Sequence, residues 1–137
     1  MGGDKRIGKL GKWFPKASVV KGAASFDPDV TAITILLFYQ YVTPRWSEQR
    51  KEAAIAHLEE LALRLRLGGR LRVAQEGVNA TVTGTHSSIE AFTAALQAFD
   101  QSFANTDFKY IKEMPLDRAF NDMKVQTETL TLTLTRT

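Results

Sequence analysis

Residues 70–79, RLRVAQEGVN, crowd two guanidiniums, two carboxamides, a carboxylate and a glycine into ten positions. Arg70 and Arg72 can pair with anions, Glu76 can only accept hydrogen bonds when ionised, and Gln75 and Asn79 both donate and accept. Two readings of the stretch stand side by side, recognition of a ligand or partner and a plain turn. Held on a rigid hairpin, Gln75, Glu76 and Asn79 would present polar groups to a ligand or partner. In the plainer alternative Glu76-Gly77 only turns the chain, Asn79 caps a strand and Gln75 faces solvent. The tripeptide Asn79-Ala80-Thr81 has the form of a glycosylation sequon, but three residues inside an expected strand are read as chance.

Composition narrows the chemistry further. The 137 residues contain no cysteine and two histidines, His57 and His86. Disulfides, thiolate metal sites and cysteine nucleophiles are thereby excluded for this chain, and no metal or other cofactor is expected. The net charge of +3 is unevenly spread. Lys5, Arg6, Lys9, Lys12, Lys16 and Lys21 stand against Asp4 in residues 1–25, whereas the remainder carries twelve basic and fourteen acidic groups. The cationic character therefore belongs to the start of the chain, and non-specific polyanion binding by the whole domain is not implied. Residues 1–29 are Gly- and Lys-rich without a helical or alternating period and are expected to form a flexible basic leader. Arg6 stands where a myristoylation signal needs Ser or Thr. The longest apolar run, Ile33 to Tyr41, has the length of a strand and not of a membrane span. A monomer in the cytoplasm or an organelle, with no membrane contact, is expected.

The elements that would position these groups follow from periodicity. ITILLFYQY, residues 33–41, is β-branched and aromatic and predicts a central strand. Thr43-Pro44 or Ser47 opens a helix whose stripe is Ile55, Leu58, Ala62 and Leu65, ending at Gly68-Gly69, where left-handed backbone is cheap. Residues 70–75 and 78–83 alternate around Glu76-Gly77 and predict a hairpin. Ser87-Ser88-Ile89-Glu90 reads as a capping box ahead of a helix carrying Phe92, Leu96 and Phe99. Residues 107–113 predict a fourth strand. The order β, α, β, β, α, β gives a domain over residues 30–137: an α+β, ferredoxin-like sandwich whose four-stranded antiparallel sheet has two helices on one face. The alternation of Leu130, Leu132 and Leu134 with threonines suggests an extra C-terminal strand or an exposed edge.

The stretch AQEGVNATVTG, with FYQYV upstream and FNDMKV downstream, resembles the amino-terminal domain of the rhodanese-domain tRNA uridine hydroxylases over roughly residues 33–125. That resemblance implies an acylphosphatase-like module that serves, with a following rhodanese domain, in hydroxylating the wobble uridine of certain tRNAs. The chain departs from the pattern after Lys124-Val125, where a Thr-Leu repeat replaces the expected Arg and Glu. It also lacks the cysteine on which the rhodanese chemistry rests. The implied role is non-catalytic: binding or positioning tRNA for a rhodanese domain.

Three functions remain to be separated. As an acylphosphatase-like phosphohydrolase the chain would use Arg45 to bind phosphate and Asn79 to position water, but FYQYVTPRWSEQR has no glycine to build a phosphate cradle. As a protein-interaction module it would pair a partner along a sheet edge. As an RNA module it would use Arg70, Arg72, Gln75, Glu76, Gly77 and Asn79 with Tyr39 and Tyr41 as stacking rings. Arg64, Arg66, Arg70 and Arg72, with Arg45, Arg50 and Lys51 at the other end of the first helix, read first as a solvated helix face; the first four, gathered on one surface with Lys109 or Lys112, would instead hold an RNA backbone. Phe108 and Tyr110 are expected to share one face of their strand; His57 and His86 are read as structural and Trp46 as a staple between helix and sheet.

Overall fold

The computed structural model describes residues 13–20 and 26–130. In chain order the elements are β1 (Trp13–Val20), β2 (Ile33–Tyr41), α1 (Glu48–Leu65), β3 (Gly68–Ala74), β4 (Gly77–Gly84), α2 (His86–Phe99), β5 (Lys109–Met114) and β6 (Met123–Leu130). The described strands form one sheet in the order β1-β6-β3-β4-β2-β5. Its β3-β4-β2-β5 portion is antiparallel throughout and is the expected ferredoxin-like unit. Leu36 and Phe38 of β2, Leu71 and Val73 of β3, and Val78, Ala80 and Val82 of β4 point to one side. There they meet Leu58 and Leu61 of α1 and Ile89, Phe92 and Leu96 of α2 in one core. Because side chains alternate across a strand, the intervening residues emerge on the other face, away from the core that α1 and α2 share; at its far end the segment before β6 packs on it, Phe120 N–H bonding Thr83 Oγ1 at 3.0 Å.

The helix boundaries differ from expectation, each for a local reason. Pro44 lies in the loop before α1, which begins at Glu48 with Ser47 as its cap; the Ser47 side chain accepts from Arg50 N–H. α1 does not run to the glycines. Arg66 takes the left-handed conformation (φ 58°), and Leu67 N–H bonds to Ala62 O at 2.9 Å while its side chain enters the core. The helix thus ends in a buried hydrophobic anchor. Gly68 is needed instead for close approach, since a Cβ there would lie 2.0 Å from Phe120 O. Thr85, not Ser87, caps α2 by accepting from Ser88 N–H, so that helix starts one residue after Thr85.

Nor is the start of α1 a solvated cationic face. Lys51 occupies the inward stripe and is 1% exposed, its Nζ 3.0 Å from Glu48. Arg50 lies 4.0 Å over the Phe99 ring and bonds Phe99 O at 2.7 Å. It also reaches Asp100 at 3.3 Å, and Asp100 accepts from Trp46 Nε1 at 3.0 Å. Trp46 packs on Phe99 and Phe103, so it ties the entry of α1 to the exit of α2 as much as to the sheet. Burial by itself would raise the Asp100 carboxyl, but hydrogen bonds from Ser102, Trp46 and Arg50 outweigh it and hold the group below its ordinary 3.8. A depressed carboxyl stabilises the fold fully above the ordinary value and loses that contribution as pH falls through the lower native one. Asp100→Asn should therefore lower stability at neutral pH and flatten the acid limb of stability against pH, measured by urea unfolding from pH about 6 to about 2.5.

Two strands extend the unit. β6 pairs parallel with β3, from Gly69↔Met123 to Val73↔Thr127, and β1 pairs antiparallel with β6, from Trp13↔Leu130 to Val20↔Met123. The extra C-terminal strand expected from the tail is thus seated inside the sheet, at Met123–Leu130; the positions Leu132 and Leu134 lie outside the described residues. Residues 13–20 were assigned to the flexible leader by composition, yet they form the edge strand of the sheet. Ser18 Oγ bonds Glu59 of α1, and Val20 packs on the core. WFPKASVV has little periodicity of its own, and its order comes from a partner more than a hundred residues away.

Candidate nucleic-acid interface

The face of the sheet turned away from α1 and α2 is set by strand register. One row runs across four strands as Tyr39↔Asn79↔Arg72↔Gln126. The next runs Lys109↔Leu37↔Thr81↔Arg70↔Lys124. Tyr41 stands one step beyond Tyr39 on the same face, opposite Gly77. Two halves of different chemistry result. β3 and β6 contribute the cations Arg70, Arg72 and Lys124 with the Gln126 amide, and β2 contributes two phenol rings. Tyr39 and Tyr41 are 68% and 72% exposed, their centroids 6.0 Å apart and the planes inclined by 67°. The two rings thus stand open on a strand whose other side is packed into the core.

Three depressions cover this face. The first, of about 400 Å³, lies at its hairpin end among Tyr39, Tyr41, Arg72, Glu76, Gly77 and Asn79. A second of about 390 Å³ shares both tyrosines and Asn79 and extends to Lys109 and Asn105. A third of about 170 Å³ is bounded by Arg70, Arg72, Thr81 and Gln126. Asn79 lines all three, at the centre of the surface.

The hairpin that carries these groups is a two-residue turn at Gln75-Glu76. Gly77 closes it with φ +153°, and a Cβ there would stand 2.1 Å from Gln40 O of β2. Glycine is required at that point because the two backbones touch. The turn is also braced. Val42 N–H bonds Glu76 O at 2.8 Å, Trp46 N–H bonds Gln75 O at 2.9 Å, and the Gln75 amide donates to Trp46 O at 3.0 Å. Gln75 therefore neither faces solvent nor joins the row on the open face; its polar group is spent on the loop before α1. Glu76 stays at the rim, its carboxylate 3.5 Å from Arg45.

Of the sequence-selected residues, Tyr39, Tyr41, Arg70, Arg72 and Asn79 come together on one face, Glu76 and Gly77 edge its first depression, and Gln75 turns away. Arg64 and Arg66 do not join them. Arg64 pairs with Glu60 at 2.9 Å on α1, and Arg66 pairs with Asp27 at 2.9 Å. Phe108 packs edge-on against Phe38 in the core, and Tyr110 lies on the helix side against His86. His86 itself bridges Thr34 and Glu90, and His57 stacks on Phe99 at 4.9 Å. Lys124 and Gln126 were missed as site residues. The alternation of Met123, Val125 and Thr127 with Lys124 and Gln126 was the available signal, for it puts the latter two opposite the core.

The loop between β2 and α1 is poorly suited to a phosphate. Its Val42 and Trp46 N–H groups already donate to the turn, and Pro44 has none to offer. Among the described residues no group of three or more His, Asp or Glu is placed to hold a metal ion, and no helix is long and apolar enough to cross a membrane.

Residues 33–129 match the family model described as UPF0176 acylphosphatase like domain. Over 75 residues the chain is 37% identical to a tRNA uridine(34) hydroxylase of Enterococcus faecalis, covering 55% of this chain and 22% of that protein. It is 34% identical over 94 residues to the protein of that name in Streptococcus pyogenes, covering 69% of this chain and 26% of the other. The chain spans about a quarter of the length of these curated relatives. The matched stretch opens with the first residue of β2 and takes in most of β6, so both halves of the open face lie within it, while β1 lies outside.

Proposed function

Because the chain belongs to the UPF0176 acylphosphatase-like domain family, we propose that it is a non-catalytic RNA-binding module that holds an unpaired stretch of tRNA on its open sheet face for a rhodanese domain. The observation that carries this is the division of that face. Arg70, Arg72 and Lys124 stand in register on adjacent strands where a phosphate backbone can run. Beside them Tyr39 and Tyr41 offer exposed rings on which unstacked bases can stack. A duplex would hide its bases from those rings and leave them without a partner. The names of the relatives supply the kind of RNA, and against the hydrolase alternative two backbone donors of the loop before α1, Val42 and Trp46 N–H, are already taken by the turn.

The test is a titration of labelled tRNA with the full chain across a salt series. A companion chain with Lys5, Arg6, Lys9 and Lys12 changed to glutamine controls for adventitious attraction by the leader. Truncation at residue 26 is unsuitable because it removes β1. Micromolar binding that survives the glutamine changes supports the proposal, and no binding at low salt overturns it. Tyr39→Ala and Tyr41→Ala should each weaken binding by about 1–3 kcal/mol if a base stacks there, with little change in the salt slope. Both rings are exposed, so thermal stability should hardly move.

A further inference from the structure

The depression at the hairpin end of the open face has a chemistry the rest of the face lacks. The two tyrosines line it, and its volume, about 400 Å³, is within the range of small-ligand sites and leaves room for a base. Its polar rim joins Asn79, Arg72 and the Glu76 side of the turn. Glu76 is the one acidic residue among those lining it, and an ionised carboxylate has no hydrogen to give. Arg45, 3.5 Å away, sits beside it as a counter-charge. The turn that bears Glu76 is fixed by the bonds from Val42 and Trp46 N–H, so the carboxylate is carried on a rigid support. An acidic group at the edge of a cationic RNA surface weakens phosphate binding, and its place there makes sense if it reads a base.

Resting on the RNA-binding proposal, we infer that this depression takes a single unpaired base bearing an exocyclic amino group, with the base stacked on Tyr39 or Tyr41 and its amino hydrogens donated to Glu76. Carboxylates pair with the cytosine amino group for the same reason in other settings. Asn79 and Arg72 can donate to the ring nitrogen or carbonyl that flanks the amino group. Uracil presents a carbonyl oxygen where cytosine presents the amine, and that oxygen would face the carboxylate with no hydrogen between them. Discrimination against it follows from an unmet acceptor and not from shape.

Cytosine and uracil are rings of one size that differ only on one edge, at position 4 (amine against carbonyl) and at ring nitrogen 3 (acceptor against N–H). Oligo(C) and oligo(U) of equal length therefore compare readout of that edge, and Glu76→Gln assigns the part due to the carboxylate. Fluorescence anisotropy with the full chain should show oligo(C) bound on the order of tenfold more tightly than oligo(U) at one salt concentration. Glu76→Gln, which replaces one acceptor oxygen with a donor, should bring the two to within about twofold. Arg70→Ala should weaken both equally and preserve their ratio. Equal affinity of the parent chain for both oligomers, or preference for oligo(U), overturns the inference while leaving the RNA-binding proposal intact. Absence of binding to either oligomer and to tRNA overturns both.

Discussion

Changing Arg70, Arg72 and Lys124 together to alanine should lower RNA affinity by on the order of a hundredfold at low salt and flatten the salt dependence. Each cation that neutralises a phosphate on a single strand contributes roughly 0.7 to the slope of log K against log salt, so losing three should reduce that slope by about 2. The three are register neighbours on β3 and β6, so a phosphate chain crossing these strands would meet them in succession. Arg70 also lies 5.5 Å from the Phe120 ring centroid, and removing it exposes that ring, so circular dichroism and a thermal melt must accompany the titration. Arg64→Ala with Arg66→Ala is the matched control. It removes two cations already paired with Glu60 and Asp27, and it should leave both affinity and slope near those of the parent. A slope unchanged by the triple substitution would place the phosphates elsewhere.

Gly77→Ala should be the most damaging single change in the hairpin. The backbone there has φ +153°, a conformation that L side chains rarely adopt, and the added methyl would stand 2.1 Å from Gln40 O. Strain of this kind and overpacking against a backbone each cost about 1–3 kcal/mol. A combined loss of about 3 kcal/mol or more is expected, read as a urea midpoint lower by roughly 2 M. The effect should extend beyond stability. β2 would have to move from β4 where Tyr41 faces Gly77, so RNA affinity should fall even under conditions where the variant remains folded. Gly77 is accordingly a residue that builds the site; it need not touch the ligand.

What the sequence disclosed and what it withheld divide along a physical line. β2, the hairpin and α2 were legible because their signals are local: a β-branched run, alternation around a glycine, and an apolar stripe at helical spacing. The same local logic misplaced the helix ends. Gly68-Gly69 reads as a helix stop, but the glycines are required by the Phe120 and Thr81 backbones, contacts that no local window contains. Lys51 was taken for surface because lysine rarely goes inside, and only the packed helix shows it in the inward stripe. Gln75 was selected for its type, and the loop it braces lies about thirty residues earlier in the chain. Tyr39, Tyr41, Arg70 and Arg72 share one face of the sheet, as alternation along β2 and β3 requires once the register of those strands is known. Lys124 and Gln126 escaped because their membership depends on a parallel pairing of strands some fifty residues apart.

That pairing has a consequence in time. The aromatic half of the face belongs to β2, which forms with the hairpin and helices of the inner unit, whereas the cationic half is finished only when β6 docks beside β3. β6 in turn holds β1, and closing that pair spans most of the chain, the longest loop in the molecule. Contacts so distant in sequence are slow to form, because the entropy of closing the loop is lost before any contact repays it. The β1–β6 pair should therefore be the last part of the sheet to close, and hydrogen exchange during refolding should protect β2 and β4 before β1 and β6.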